Sequence, residues 1–226
     1  MIPLYDTVRT HKFPFINILI IALNVLAFFY ELQLGSSALE RFIFTWGAMP
    51  GDITSNLASA WPTIFTSMFL HGGWFHLLSN MWFLYIFGDN VEARMGGIRY
   101  LIFYLLSGVA AVFLQAYFQP GSSVPMIGAS GAIAGVLGAY LISFPRSRIA
   151  SLVPILFIFT IIEIPAVIFL VLWFLSQLYS GWFAMQGAAA AAGGVAWWAH
   201  IGGFVFGVIT VSFFVKRTIR RNWYQE

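Results

Sequence analysis

Long apolar runs, separated by short polar stretches, dominate this chain. Six of them approach the ~20 residues that a helix needs to cross the hydrocarbon core of a bilayer. They lie near residues 14–34, 75–94, 98–118, 127–144, 164–182 and 195–215. The pattern predicts an all-α integral membrane protein in which residues 1–226 form a single transmembrane domain with six spanning helices.

Two stretches between these runs do not fit a spanning helix. Residues 35–63 mix charged side chains with tryptophan, proline and glycine, which is typical of an ordered loop at a membrane interface. Residues 149–162 are too few to span and are rich in Ile, Val, Phe and Thr. We expect an extended or interfacial piece there, leading to a helix that begins near Pro165.

The composition supports a membrane protein and excludes several other classes. Hydrophobic side chains make up 60% of the chain and charged ones 8%, too few to cover the surface of a soluble domain of this size. The net charge of +3 comes from scattered basic residues that form no stripe, so a nucleic-acid partner is not expected. Because there is no cysteine, thiolate catalysis and cysteine metal sites are excluded.

The basic residues predict the orientation in the membrane. With six spans, both termini share one side with the turns that follow the second and fourth spans. That side holds ten of the eleven Lys and Arg residues, all except Arg41. The positive-inside rule then places both termini in the cytoplasm, and we expect a multi-pass protein of a prokaryotic cell (inner) membrane.

Four polar side chains are predicted to share one shallow layer of the membrane. Spans two, four and six all begin at the outer face, and His76, Asn80, Ser130 and His200 lie near their beginnings. Polar groups in a bilayer are unfavourable unless they face a protein interior or water, so they indicate a functional site. A serine and a histidine together indicate nucleophilic attack with proton transfer.

Small residues predict which helices bring these groups together. Gly131 and Gly135 lie beside Ser130, and Gly203 and Gly207 share a helix face with His200. Faces of small residues let membrane helices approach closely, although such stripes often serve packing alone. We therefore expect the fourth and sixth spans to pack with Ser130 against His200.

Metal binding is a weaker interpretation of the histidines. His71 and His76 are i and i+5, so they do not share a helix face, and no carboxylate lies near them in the sequence. We predict no metal and no cofactor.

Three motifs together resemble the rhomboid intramembrane serine proteases. They are the run from His71 to Asn80 (HGGWFHLLSN), the sequence Gly128-Ala129-Ser130-Gly131, and the sequence AHIGG around His200. The resemblance covers nearly the whole chain and includes Phe87-Gly88 and Glu92. It implies a six-helix rhomboid-like bundle that cuts transmembrane segments of other proteins near the outer face of the lipid bilayer.

The resemblance also implies a role for each site residue. Ser130 would be the nucleophile and His200 the general base, a dyad without an acid. His76 and Asn80, with the backbone N–H groups of Ser130 and Ala129, would bind the oxyanion. The fifth span and residues 187–194, which are all Ala and Gly, would form a gate and a cap. A flexible linker between helices is the alternative interpretation of residues 187–194. Consistent with a gate, Phe169, Trp173 and Phe174 are expected to face lipid or to pack loosely.

One departure from the family pattern concerns the catalytic histidine. The best-known members carry a tyrosine four residues after the nucleophile, stacked on the histidine, whereas this chain has Ala134. Another ring must support His200, and Trp197 and Trp198 are the candidates.

Two other functions remain as alternatives. A rhomboid-like protein that binds membrane clients without cutting them is one, although such members have usually lost the serine or the histidine. A transporter with His76 and His200 as proton relays would favour polar groups at mid-membrane rather than near one face.

Overall fold

The computed structural model describes residues 1–10, 12–155, 158–185 and 195–216, without the side chains of residues 155 and 158. In chain order the elements are β1 (Ile2–Asp6), α1 (Phe15–Glu31), α2 (Ser36–Trp46), α3 (Pro50–Ser55), α4 (Leu57–Thr66), a 3-10 turn (Ser67–Phe69), α5 (Trp74–Met95), α6 (Gly97–Phe118), α7 (Ser130–Ser143), β2 (Arg148–Ile155), β3 (Ile158–Pro165), α8 (Ala166–Met185) and α9 (Trp197–Phe214).

Within the described residues, six longer helices lie in the six apolar runs of the sequence. Of these, α6, α8 and α9 are both long and apolar enough to cross a membrane. Helices α1 and α7 are apolar but shorter. Helix α5 has 22 residues and carries Asp89, Glu92 and Arg94 towards its end. The described part of the chain is thus mostly helical, with three helices that qualify as spans by length and composition.

The prediction of an all-α chain is wrong at one end of the bundle. Strands β1, β2 and β3 form an antiparallel sheet in that order, with Ile2 opposite Leu152 and Ser151 opposite Ile162. The extended conformation expected after residue 149 is confirmed by β2 and β3. Their β-branched residues suit a strand. Pairing of β2 with both β1 and β3 satisfies backbone groups that a helix would otherwise satisfy internally.

The segment predicted as a loop over residues 35–63 consists largely of the short helices α2, α3 and α4. It is joined to the chain just before α7 by the isolated bridge between Ala48 and Met126. Ala48, Ile53, Ala60, Ile64 and Met68 form a small apolar core with Val112 and Ala116 of α6. This core fixes the segment beside the start of α7.

Helix α7 lies at the centre of the bundle. Every residue from Gly131 to Tyr140 is buried, and α5, α6, α8 and α9 all contact the helix. Its small side chains make this possible, because neighbouring helices can approach its backbone closely. The functional side chains described below surround the first turn of this helix.

Candidate active site

Ser130 and His200 form a hydrogen-bonded pair. Ser130 is the first residue of α7, and His200 lies in the first turn of α9. The distance from Ser130 Oγ to His200 Nε2 is 2.8 Å. Two residues that are 70 positions apart in the chain are thus within proton-transfer distance.

Glycine-mediated contact between α7 and α9 brings the pair together. A Cβ atom added to Gly203 would overlap the carbonyl oxygen of Gly131, and one added to Gly207 would overlap that of Gly135. The two backbones therefore touch along this seam, and any larger side chain would separate the helices. Gly131 itself faces Ala111 of α6 and Ala199 of α9.

The loop before α7 is shaped by Gly128, whose φ of +119° is rarely adopted by residues with a side chain. Its N–H donates to the carbonyl of Ser67 over 2.9 Å. An added Cβ would lie 2.5 Å from Nε2 of His76 and 3.6 Å from the amide nitrogen of Asn80. His76 and Asn80 therefore lie against the backbone that leads into Ser130, while Ala129 is fully buried.

His71 fixes the position of Asn80, a role that we did not predict from the sequence. The amide nitrogen of Asn80 lies 3.0 Å from His71 Nε2, and His71 Nδ1 lies 3.3 Å from the carbonyl of Phe69. Since the carbonyl only accepts, Nδ1 carries the hydrogen and Nε2 accepts from Asn80. Burial lowers the pKa of His71 to about 4, with a further lowering from His76, so this neutral form persists at neutral pH.

Two tryptophans lie beside His200. The ring of Trp173 is 6.2 Å from the imidazole at a tilt of 33°, and that of Trp197 is 6.0 Å away and edge-on. Of the two sequence candidates, Trp197 is therefore the neighbour, because Trp198 stacks on Phe118 instead. Ala134, where the best-known members have tyrosine, is fully buried.

The expectation that α8 presents loosely packed rings to lipid is wrong for Phe169, which packs against α5, and for Phe174, which packs against α9. Phe169 is only 4% exposed and lies 6.4 Å from Phe87. Phe174 stacks on Phe204 of α9 with 4.6 Å between ring centres. The cap predicted over residues 187–194 lies outside the described residues.

Gln177 of α8 also contacts His200, and sequence reasoning missed it. Its Oε1 lies 2.8 Å from His200 Nδ1, on the opposite edge of the ring from Ser130. A buried polar side chain inside an apolar segment is the same signal that identified Ser130 and His200.

A cavity of about 460 Å³ lies next to the beginning of α9. Its walls include Gln115, Pro120, Met126, Ala184 and Trp197. Trp197 therefore borders both the cavity and His200. Gln115 Oε1 accepts a hydrogen bond from the backbone N–H of Ala199 over 3.1 Å and so helps to hold the first turn of α9.

Comparison with known proteins identifies the family of this chain. Residues 58–217 match the family model described as the Rhomboid domain, which covers more than half of the chain. The chain belongs to the rhomboid family. The matched range includes the helices that carry His76, Asn80, Ser130, Gln177 and His200.

Individual rhomboid relatives align with parts of the chain. A mitochondrial RHOMBOID-like protein 6 of Arabidopsis thaliana is 38% identical over 132 residues, which are 56% of this chain and 41% of that protein. The rhomboid protease GluP of Bacillus subtilis is 36% identical over 129 residues, 57% of this chain and 24% of its own length. These alignments thus span less than half the length of each relative.

Proposed function

We propose that this rhomboid protein is an intramembrane serine endopeptidase that cuts transmembrane segments of other membrane proteins. The observation that carries the proposal is the 2.8 Å hydrogen bond between Ser130 and His200. It joins a nucleophile and a base from two different helices at the end of the bundle where both helices begin. The relative named as a protease, GluP, adds support through its similarity.

The proposed reaction begins with attack of Ser130 Oγ on the scissile carbonyl carbon, while His200 Nε2 takes the hydroxyl proton. The tetrahedral intermediate expels the amine, which receives that proton from His200, and leaves an acyl group on Ser130. Water then attacks the acyl carbonyl, with His200 again as base, and releases the carboxylic acid and free Ser130. No cofactor is needed for these steps.

The start of α7 is suited to stabilise the oxyanion of each intermediate. The first N–H groups of a helix have no intrahelical partner, and the helix dipole favours negative charge there. We assign this role to the backbone N–H groups of Ala129 and Ser130 with the side chains of His76 and Asn80. An amide NH2 has two hydrogens, so Asn80 keeps one for the oxyanion while the other binds His71.

The proposed setting is a bilayer crossed by six spans, α1 and α5 to α9, with both termini in the cytoplasm of a prokaryotic cell. The distribution of basic residues supports this orientation. It places the first turns of α7 and α9 towards the outer face, where water can reach the dyad. The partners are then the lipid bilayer and transmembrane protein substrates.

Cleavage of a tagged model transmembrane protein in liposomes tests the proposal. We expect the wild type to cut it and Ser130→Ala and His200→Ala to lose nearly all activity. The double variant should be no worse than either single variant, because the two residues act as a unit. Ser143→Ala is the matched control: it removes a hydroxyl from the far end of α7 that has no hydrogen-bond partner among the described residues.

Two results would contradict the proposal. One is a folded wild type that binds the substrate without cutting it, the behaviour of a rhomboid-like client-binding protein. The other is cleavage that persists in purified Ser130→Ala, because the reaction would then use another nucleophile.

A further inference from the structure

We propose that Gln177 is the positioning residue that holds His200 in the tautomer required of a base, in place of a catalytic acid. The inference rests on the proposed serine protease function. It begins from the 2.8 Å contact between Gln177 Oε1 and His200 Nδ1. Gln177 is 7% exposed, so this contact is shielded from water that would compete for it.

The orientation of the Gln177 amide follows from its other neighbours. Its Nε2 lies 3.3 Å from the carbonyl of Trp173 and 2.9 Å from the hydroxyl of Ser176. The Ser176 hydroxyl itself donates to the same carbonyl over 2.5 Å, so it is free to accept from the amide. Because the carbonyl can only accept, Nε2 must face it, and Oε1 must face His200.

The amide orientation then determines the histidine tautomer. Oε1 is an acceptor only, so His200 Nδ1 must carry a hydrogen. In a neutral imidazole the other nitrogen is then unprotonated, and Nε2 presents its lone pair to the Ser130 hydroxyl. This is the tautomer that can take the serine proton, and a triad's acid ordinarily selects it.

An amide differs from an acid in one respect that makes the role testable. It orients the ring but carries no charge to stabilise the imidazolium formed during attack. Gln177 also belongs to α8, whereas Ser130 and His200 belong to α7 and α9. The docking of α8 against α9, through Phe174 and Phe204, therefore sets the alignment of the base.

The first test observes the tautomer directly by 15N NMR of histidine-labelled protein in detergent. His200→Gln assigns the His200 signals. In the wild type we expect a protonated Nδ1 and an unprotonated Nε2 at neutral pH, and in Gln177→Met a mixture of both tautomers. Gln33→Met, the same substitution at an exposed position, is the control and should leave the His200 signals unchanged. A wild type protonated at Nε2, or an unaltered Gln177→Met spectrum, would overturn the inference.

The second test uses activity. Gln177→Met should lower kcat about 10-fold, the effect of losing one hydrogen bond in the transition state, with little change in KM. Gln177→Glu should retain or exceed the wild-type kcat at high pH. Because a carboxylate stabilises the imidazolium, the acid limb of its profile of kcat against pH should move up by about one pH unit or more. If the acid limb of Gln177→Glu does not move, or if the kcat of Gln177→Met is not reduced, Gln177 has only a packing role.

The two proposals fail in different ways. A wild type without any cleavage activity overturns the protease assignment, while the NMR measurement still reports on Gln177. Conversely, an active wild type with an unchanged tautomer in Gln177→Met overturns the role of Gln177 alone.

Discussion

Asn80 is held by one hydrogen bond to His71 and retains a second amide hydrogen, which in our proposal binds the substrate oxyanion. His71 can accept that bond because its pKa of about 4 keeps the imidazole neutral, and its backbone N–H is fixed in turn by the carboxylate of Glu31. A buried hydrogen-bond donor that already points to the position of the oxyanion needs no reorganisation when negative charge develops there. Such groups therefore contribute strongly to catalysis.

Asn80→Ala should lower kcat/KM by about 10²- to 10³-fold, the usual effect of removing one oxyanion donor. The protein should remain folded, with intact thermal unfolding in detergent. Asn56→Ala is the control for removal of an amide side chain. Asn56 is exposed, and its side chain makes no capping hydrogen bond to α4. Full activity of a folded Asn80→Ala would remove this residue from the oxyanion site.

At the level of single residues, the positions that the sequence reveals are those where a polar group interrupts an apolar run. Ser130 and His200 were predicted in this way, and the structure places them 2.8 Å apart. Gln177 is also a polar group within an apolar run, but it was not predicted as a site residue. Its contact with His200 depends on α8 packing beside α9, which the sequence pattern does not show. His71 was considered as a possible metal ligand and as part of the motif from His71 to Asn80, but its contact with Asn80 was not predicted, because that contact depends on the fold of the turn between them.

The contact between α7 and α9 decides whether the dyad forms at all. It depends on four glycines, at 131, 135, 203 and 207, whose backbones meet where side chains would otherwise keep the helices apart. The seam continues away from the site, so its packing can be altered without touching Ser130 or His200.

Gly207→Ala should weaken the bundle, because the added Cβ would collide with the carbonyl of Gly135. We expect a loss of about 1–3 kcal/mol in unfolding free energy, typical of overpacking, together with reduced cleavage. Gly35→Ala is the control, since nothing lies within 4 Å of a Cβ there. Equal stability of the two variants in a denaturant titration would show that the helices do not touch along this seam.

The six longer helices are predicted well because each corresponds to one continuous run of apolar residues. The pairing of strands that are distant in the sequence cannot be predicted from such a run. The apolar runs indicate the positions of α1 and α5 to α9. The extended nature of residues 149–162 was predicted from their β-branched content, but nothing in that run points to Ile2–Asp6 as its partner strand. The short helices α2 to α4 were missed because their mixed composition also suits a loop.

At the scale of the whole molecule, the amino-terminal strand ties the sheet to the helical bundle. Asp6, at the end of β1, accepts hydrogen bonds from Asn90 of α5 over 2.9 Å and from Tyr140 of α7. Burial raises the pKa of Asp6 from 3.8 to about 6, although these hydrogen bonds oppose the rise. The folded protein thus holds a proton on Asp6 more tightly than the unfolded chain does.

This difference predicts how stability changes with pH. Because the folded-state pKa is raised, the wild type should lose stability relative to Asp6→Asn as the pH rises from 4 to about 6, with no further change above that. Partial exposure of Asp6 reduces the effect to about 1–2 kcal/mol. Denaturant titrations of both proteins at pH 4.5 and 7.5 measure it. A stability difference that is equal at the two pH values would contradict the assignment.

Covalent labelling of Ser130 tests most directly whether His200 makes this hydroxyl a nucleophile. A fluorophosphonate should form one Oγ–P bond with loss of fluoride, seen by intact mass and mapped to Ser130 by peptide analysis. Labelling should vanish in Ser130→Ala, fall strongly in His200→Ala and persist in Ser143→Ala. An unlabelled wild type, or equal labelling of wild type and His200→Ala, would show that His200 does not activate Ser130.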